Sequence, residues 1–130
     1  DRYFLDDGAG IFLSQKDVRE IQLAKGAIHA AVEILMVRLG VAAEEIDRVY
    51  LAGGFGSFLN LESAEEIKLL HQGLMSRAKA IGNAAGMGAV AALRSRKALE
   101  DMEAIKEKME YVELSGSGDF QQTFIMKLGF

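Results

Sequence analysis

The stretch Arg48–Ser57, RVYLAGGFGS, carries the main structural signal of this chain. Its first part, VYLA, is a short β-branched and aromatic run that glycines follow at once, which is typical of a buried strand ending in a tight loop. Gly53 and Gly54 have no Cβ, so the backbone can turn sharply there and a ligand can approach it closely. Ligands of open α/β sheets bind just beyond the carboxyl ends of strands. The glycine pair therefore indicates either a binding corner or a plain turn.

The overall composition is that of a globular domain that can bury a core of its own. Half of the 130 residues are hydrophobic and 26% are charged. The net charge of −4 and the lack of a basic block argue against a nucleic-acid surface. The sequence contains no signal peptide and no apolar run long enough to span a membrane. We therefore expect neither a nucleic-acid nor a membrane partner, and a cytoplasmic location.

The chain contains no cysteine and only two histidines. Without thiols it can form no disulfide, zinc–thiolate or iron–sulfur site of its own, and two histidines argue against a histidine-based metal site. We predict no metal site. Because the chain begins at Asp1 without a methionine and enters a strand-like run at once, we expect residues 1–130 to be a single domain and a fragment of a longer protein.

The first forty residues predict a hairpin followed by a long helix. Two apolar runs, YFL at 3–5 and IFL at 11–13, flank DDGAG at 6–10, whose aspartates are interpreted as turn formers rather than cation ligands. Ser14 and Asp17 form a capping-box pattern, and Gly40 follows the last periodic apolar residue. The pattern predicts a helix from Ser14 to Leu39.

Two residues inside this helix have open interpretations, and a third has one. Lys25 lies near the apolar face, and this position allows two interpretations. Either its stem packs there while its ammonium reaches water, or the ammonium points to an anionic or purine ligand. Gly26 marks a bend, a break or a close approach of another element. His29 is interpreted as a helix residue near the surface boundary.

The second half of the chain predicts further helices and strands. An acidic helix, 62–70, precedes a weak strand, 77–81, and a glycine-rich stretch, 82–89, in which Asn83 caps the next helix. Residues 95–108 predict a helix, 110–114 a strand, and Asp119 the cap of a last helix. Neither a GxGxxG fingerprint nor a Walker A motif occurs.

Three stretches in this order resemble the C-terminal ATPase-like domain of reductive activators of corrinoid proteins. They are SQKDVREIQLAKGAI at 14–28, VYLAGGFGSFLNLES at 49–63 and GNAAGMGA at 82–89, and the ending at 111–130 is similar as well. Those activators are similar to the acetate kinase, Hsp70 and actin superfamily. The resemblance implies an α/β fold, part of an actin-like ATPase (ribonuclease H-like) domain, with a small mixed sheet flanked by helices.

The resemblance also implies a nucleotide site. The stretch 49–54 resembles the superfamily's adenosine motif, so Gly53, Gly54 and Phe55 are candidates for cofactor binding, and Gln22 and Lys25 resemble the helix positions that flank the adenosine. The glycines at 82–88 resemble a connecting helix on which two lobes pack and hinge. The implied cofactors are ATP with Mg²⁺ in the parent protein and a [2Fe–2S] cluster outside this fragment.

The implied function is to restore Co(I) in an inactivated corrinoid methyltransferase protein, with that protein as partner and a homodimer as a further expectation.

The chain departs from the family pattern at Leu61, where a proline is usual, and at 68–75. The superfamily's phosphate-binding hairpins would lie before Asp1, so no catalytic residue is predicted here and the fragment alone should not hydrolyse ATP. A non-catalytic dimerisation or docking module and half of a sugar or acyl kinase are the alternatives.

Overall fold

The computed structural model describes residues 2–6 and 8–130. Within these ranges the protein contains four strands and six α-helices, and short 3₁₀ turns at Ala43–Glu45 and Met75–Arg77. The elements are β1 (Arg2–Asp6), β2 (Ile11–Ser14), α1 (Gln15–Leu39), β3 (Val49–Ala52), α2 (Gly53–Phe58), α3 (Leu61–Glu66), β4 (Ala78–Gly82), α4 (Ala84–Arg94), α5 (Arg96–Lys106) and α6 (Gly118–Met126).

The strands form two separate two-stranded sheets. β1 and β2 pair antiparallel as the predicted hairpin, whereas β3 and β4 pair parallel, with Val49 opposite Ala78 and Leu51 opposite Ala80. The predicted α/β class is confirmed, but its small mixed sheet is divided into an antiparallel pair and a parallel pair. Asp7, one of the two turn aspartates, lies outside the described residues; Asp6 accepts a hydrogen bond from the Ala9 N–H at 3.0 Å, as a turn former does.

The caps predicted for the long helix α1 are both confirmed. The Asp17 N–H donates to the Ser14 hydroxyl at 3.2 Å, and the Ser14 N–H donates to the Asp17 carboxylate at 2.8 Å. The Ser14 hydroxyl also donates to this carboxylate, and these hydrogen bonds hold the pKa of Asp17 below its usual value. At the other end Gly40 adopts φ +65°, the left-handed conformation that suits glycine at a helix end.

An arginine connects the segment before β3 to the start of β4. The Arg77 guanidinium donates through Nη1 to the carbonyl of Ala43 at 2.8 Å and to that of Ile46 at 2.6 Å. Because a charged donor bonds to two carbonyls of the connection before β3, it stabilises the approach to that strand.

The hydrophobic core lies between α3 and β4. It is formed by six buried residues, Ala43, Ala64, Leu69, Leu70, Leu74 and Met75. Val49 and Leu51 of β3 pack against it, while Tyr50, on the opposite face of the strand, is 54% exposed. β3 is therefore buried on one face only, whereas its apolar run predicted a buried strand.

Three further predictions about elements are wrong. The acidic helix ends at Glu66, because Lys68 takes up a left-handed conformation with φ +56° before the buried Leu69 and Leu70. Residues 110–114 form no strand: the Glu113 side chain bonds to Tyr111 and Ser115 locally, and no neighbouring strand pairs with them. Ser117, not Asp119, caps α6, because its hydroxyl accepts from the Phe120 N–H at 3.1 Å.

Candidate functional site

The glycine corner consists of Gly53 and Gly54 at the carboxyl end of β3. Gly53 has φ +84°, which a residue with a side chain rarely adopts, so the turn out of the strand depends on glycine here. A Cβ placed on Gly53 or on Gly54 would meet no other atom within 4 Å. The main chain of the corner is therefore bare and open, and no side chain covers it.

The residues after the corner fix its orientation against the sheet. Instead of a loop, Gly53 to Phe58 form the short helix α2. Gly56 is buried, and a Cβ placed on it would lie 2.8 Å from both the Cβ and the carbonyl oxygen of Leu51. Since only glycine allows this approach, α2 lies directly against β3. Phe55 points outward and is 67% exposed beside the corner.

The two predicted residues on α1 lie one turn apart. Gln22 is half-buried, whereas Lys25 is only 2% exposed. The Lys25 ammonium donates to the carbonyl of Gly129, and it lies 5.5 Å from the centre of the Phe130 ring. The amine therefore contacts the segment after α6 and is shielded from solvent.

α1 and α6 meet at a glycine, which decides among the three interpretations of Gly26. A Cβ on Gly26 would lie 3.2 Å from Leu128 and 3.4 Å from Phe124. Gly26 therefore marks a close approach, and α1 continues through it without a break. This approach brings the segment after α6 over the middle of α1, where Lys25 is.

His29, one turn after Lys25, is buried rather than near the surface, so that prediction is wrong. Its Nδ1 lies 2.9 Å from the Lys68 carbonyl, and since a carbonyl only accepts, Nδ1 carries the proton. Nε2 faces the Glu33 carboxylate at 3.6 Å. Burial lowers the pKa of His29, and the nearby Lys127 and Lys25 lower it further, while the Lys68 carbonyl and Glu33 oppose the shift.

The structure brings some of the predicted site residues together and leaves others apart. Gly53, Gly54 and Phe55 form one surface, and Gln22 and Lys25 share one stretch of α1. The cavity that Lys25 lines, of about 330 Å³, is bounded by Lys25, His29, Lys68, Met126, Lys127, Gly129 and Phe130. Gln22 and the glycine corner are not among its lining residues, so the role of Lys25 beside an adenosine stays a prediction.

The sequence did not single out Lys68 and Lys127 as members of this cavity. They lie 43 and 102 positions after Lys25 and reach it only through the turn after α3 and the packing of α6. The left-handed backbone of Lys68 carries no sequence signal, because the residue is not a glycine. The poor fit of 68–75 to the family pattern was the one available hint.

Neither a metal site nor a membrane span is found in the part of the chain that the structure describes. Within residues 2–6 and 8–130, no three histidine, aspartate or glutamate side chains cluster as metal ligands would. No helix in those ranges combines the length and the apolar character needed to cross a bilayer.

The parallel strand pair, the glycine corner and helix α2 form a strand–turn–helix unit of an α/β domain. A solved reductive activator for corrinoid, iron–sulfur protein superposes on 91% of this chain with a TM-score of 0.79 and 36% sequence identity. The chain belongs to the family described as the C-terminal domain of RACo, the ASKHA domain, whose model matches residues 3–130. The family resemblance of the sequence and its α/β fold class are thereby confirmed.

Two curated relatives agree with this family. The corrinoid activation enzyme RamQ of Eubacterium limosum is 32% identical over 124 residues, which are 95% of this chain and 21% of RamQ. A [Co(II) methylated amine-specific corrinoid protein] reductase of Methanosarcina barkeri is 26% identical over 125 residues, 95% of this chain and 23% of that protein. The chain spans about a fifth of the length of these relatives and 19% of the solved activator.

Proposed function

We propose that this domain is the C-terminal nucleotide-binding part of an ATP-dependent reductive activator, which restores Co(I) in an inactivated corrinoid protein. The family match and the names of three relatives support this reductive activation of a corrinoid protein. Because each of those relatives is four to five times longer than this chain, residues 1–130 would be one domain of a longer cytoplasmic protein, and a homodimer is part of the proposal.

The observation that carries the nucleotide assignment is the open main chain at the glycine corner. Gly53 and Gly54 leave more than 4 Å free where side chains would begin, at the carboxyl end of a parallel strand. A flat purine nucleoside can rest against such a wall, because nothing displaces it and main-chain groups are within reach. Phe55, exposed beside the corner, offers an aromatic face to the same ligand.

The other groups of the proposed reaction would come from outside this chain. ATP, with Mg²⁺, would supply the free energy that a difficult cobalt reduction requires, and a [2Fe–2S] cluster held elsewhere in the parent protein would supply the electron. No cysteine is present to hold a cluster, so the cluster ligands would belong to another domain. This domain would bind the nucleoside and favour one arrangement of the lobes over another, as a ligand does when it prefers one conformation.

Gly54→Ala in the full-length protein tests this proposal, because it separates binding from folding. The new methyl group fits the structure without a clash and replaces a glycine inside a helix, so the free energy of unfolding should hold or rise by about 0.5 kcal/mol. The same methyl group occupies the surface on which the nucleoside would rest. We expect adenosine and ATP affinities, measured by calorimetry, to fall about tenfold.

Gly116→Ala in the turn before α6 is the matched control, since its new methyl group meets nothing within 4 Å and its φ is not positive. It should leave both affinities unchanged. Wild-type affinity for adenosine in Gly54→Ala would show that the corner is not the nucleoside site. A full-length protein that binds a corrinoid protein yet has no measurable affinity for ATP would support the docking-module alternative instead.

A further inference from the structure

The cavity between α1 and α6 contains a buried lysine without an anionic partner. Lys25 is 98% buried, and its one hydrogen bond goes to the neutral carbonyl of Gly129. An ammonium has three donors, and a buried charge is costly unless it is paired. Among the ion pairs of the described residues, none includes Lys25. The arrangement therefore leaves donors of a buried cation free for a ligand.

The side chains around this lysine add positive charge rather than compensating it. Lys68 and Lys127 line the same cavity, and none of the seven lining residues has a carboxylate side chain. Glu33, at the side, pairs with Lys127 at 2.6 Å. Among these side chains, three lysines therefore face one glutamate. Burial and then the charges of Lys68 and Lys127 hold the pKa of Lys25 below its usual range, as expected where an anion is missing.

The backbone that presents Lys68 to the cavity is strained. Lys68 has φ +56°, a left-handed conformation that a residue with a Cβ rarely adopts, and it is the one such non-glycine residue in the described chain. The buried His29 holds this turn through its hydrogen bond to the Lys68 carbonyl. Strained backbone persists where the surrounding structure over-determines it, and it concentrates at ligand sites.

We propose that the cavity formed by Lys25, Lys68, Lys127 and His29 binds a phosphate-type oxyanion. Its volume of about 330 Å³ is at the lower end of the range of ligand pockets and suits a small anion. Lysines from α1, from the turn after α3 and from the segment after α6 line it. The phosphate oxyanion is either free phosphate or the phosphate tail of a nucleotide, and its oxygens would accept the donors that Lys25 and Lys68 leave unused.

This proposal does not depend on nucleoside binding at the glycine corner, because adenosine carries no phosphate. The experiment is a calorimetric titration of the full-length protein with inorganic phosphate at constant ionic strength in chloride. Lys25→Met removes the buried charge and keeps the length of the side chain. Lys68→Asn removes the second charge, and asparagine tolerates the left-handed backbone at this position. Lys97→Met, at an 84% exposed side chain on α5, is the matched control.

Wild type and Lys97→Met should bind phosphate with equal affinity. In Lys25→Met the affinity should fall about tenfold or more, the loss expected for a charge-assisted hydrogen bond, and in Lys68→Asn it should fall several-fold. If Lys25→Met fails to fold by circular dichroism, Lys68→Asn decides. No phosphate binding by wild type, or wild-type affinity in every folded variant, overturns the proposal.

Competition distinguishes the two sources of the phosphate group. If ATP displaces phosphate, and this competition is lost in Lys68→Asn while adenosine affinity is kept, the cavity takes the phosphate tail of a nucleotide. If phosphate binds equally well with and without saturating ATP, and Lys68→Asn weakens it in both cases, the cavity takes free phosphate. Both results support an oxyanion site. Loss of adenosine binding in Gly54→Ala concerns the glycine corner alone.

Discussion

The middle of the chain and the helix pair α4–α5 are both rich in apolar residues, but they differ in what covers them. Every buried residue of the described chain lies between Lys25 and Met75, and none occurs in residues 76–130. α4 and α5 pack on each other, yet Leu93 is 88% and Ile105 is 60% exposed. An amphipathic pattern thus predicts that a face is buried, but not whether this chain supplies the partner that buries it.

The difference supports the proposed place of this domain in a longer protein. The middle region completes its own core around Leu74, whereas the apolar side chains of α4–α5 have no counterpart among the described residues outside the pair. A surface of this kind is typical of a contact with another domain or a second subunit. Three substitution experiments test how far the two regions differ.

The largest effect is expected from truncating the same residue type in each region. Leu74 is 1% exposed in the core, so Leu74→Ala should lower the free energy of unfolding of the 130-residue chain by about 3 kcal/mol. Leu93→Ala should change it by less than about 0.5 kcal/mol, because the side chain is already in solvent. Urea unfolding measures both, and a similar loss in the two variants would abolish the distinction.

A smaller effect is expected from adding one methyl group to a glycine in each region. Gly56→Ala places a carbon 2.8 Å from the Leu51 main chain, so α2 must move away from β3, at a cost of about 2 kcal/mol. Gly88→Ala on α4 meets only the end of Met102 and should stabilise the helix by about 0.5 kcal/mol. Thermal unfolding of the two variants should shift in opposite directions, and equal shifts would contradict the close approach at Gly56.

The smallest effect on stability is expected from lowering the pH. Because the folded pKa of His29 lies below its unfolded value of about 6.5, the unfolded chain takes up the proton first. The neutral ring faces Lys68, Lys127, Lys25 and Glu33, and its stabilising contribution is present above pH 6.5 and declines as the pH falls through the folded pKa. His29→Gln should therefore lose less stability than wild type between pH 7 and pH 5 in urea titrations.

Gln121→Ala, at an exposed uncharged residue of α6, is the control for this acid effect and should keep the wild-type loss. The α4–α5 pair adds little to it, since its ion pairs, Lys97 with Asp101 and Lys106 with Glu103, are exposed and weak. An unchanged pH dependence in His29→Gln would show that the ring is not held neutral by its surroundings.

Local signals predicted a large part of the fold. The hairpin, both ends of α1, the strand β4 and the Asn83 cap follow from residues within a few positions of each other, and all are confirmed. The strand predicted at 110–114 is wrong because alternation does not supply a pairing partner. The helix predicted through Leu70 is too long because buried leucines occur in turns as well as in helices.

Local sequence patterns likewise predicted one part of the candidate site and missed another. The glycine corner was visible in the sequence, since a strand followed by two glycines is a local pattern. The surroundings of Lys25 were not, because Gly129 is 104 residues away and only the close approach at Gly26 brings it there. Contacts between distant positions depend on packing, which a pattern of neighbours does not record.

The approach of α6 to Gly26 has a practical consequence for dissecting the chain. The main helix contact of α6 is with α1, and the connection at 107–117 contains no regular element. Cleaving the backbone between Gly116 and Ser117 would turn the last fourteen residues into a peptide that can be added back to the remainder. Fluorescent labels on the two pieces would then report directly how strongly the long helix retains its C-terminal companion.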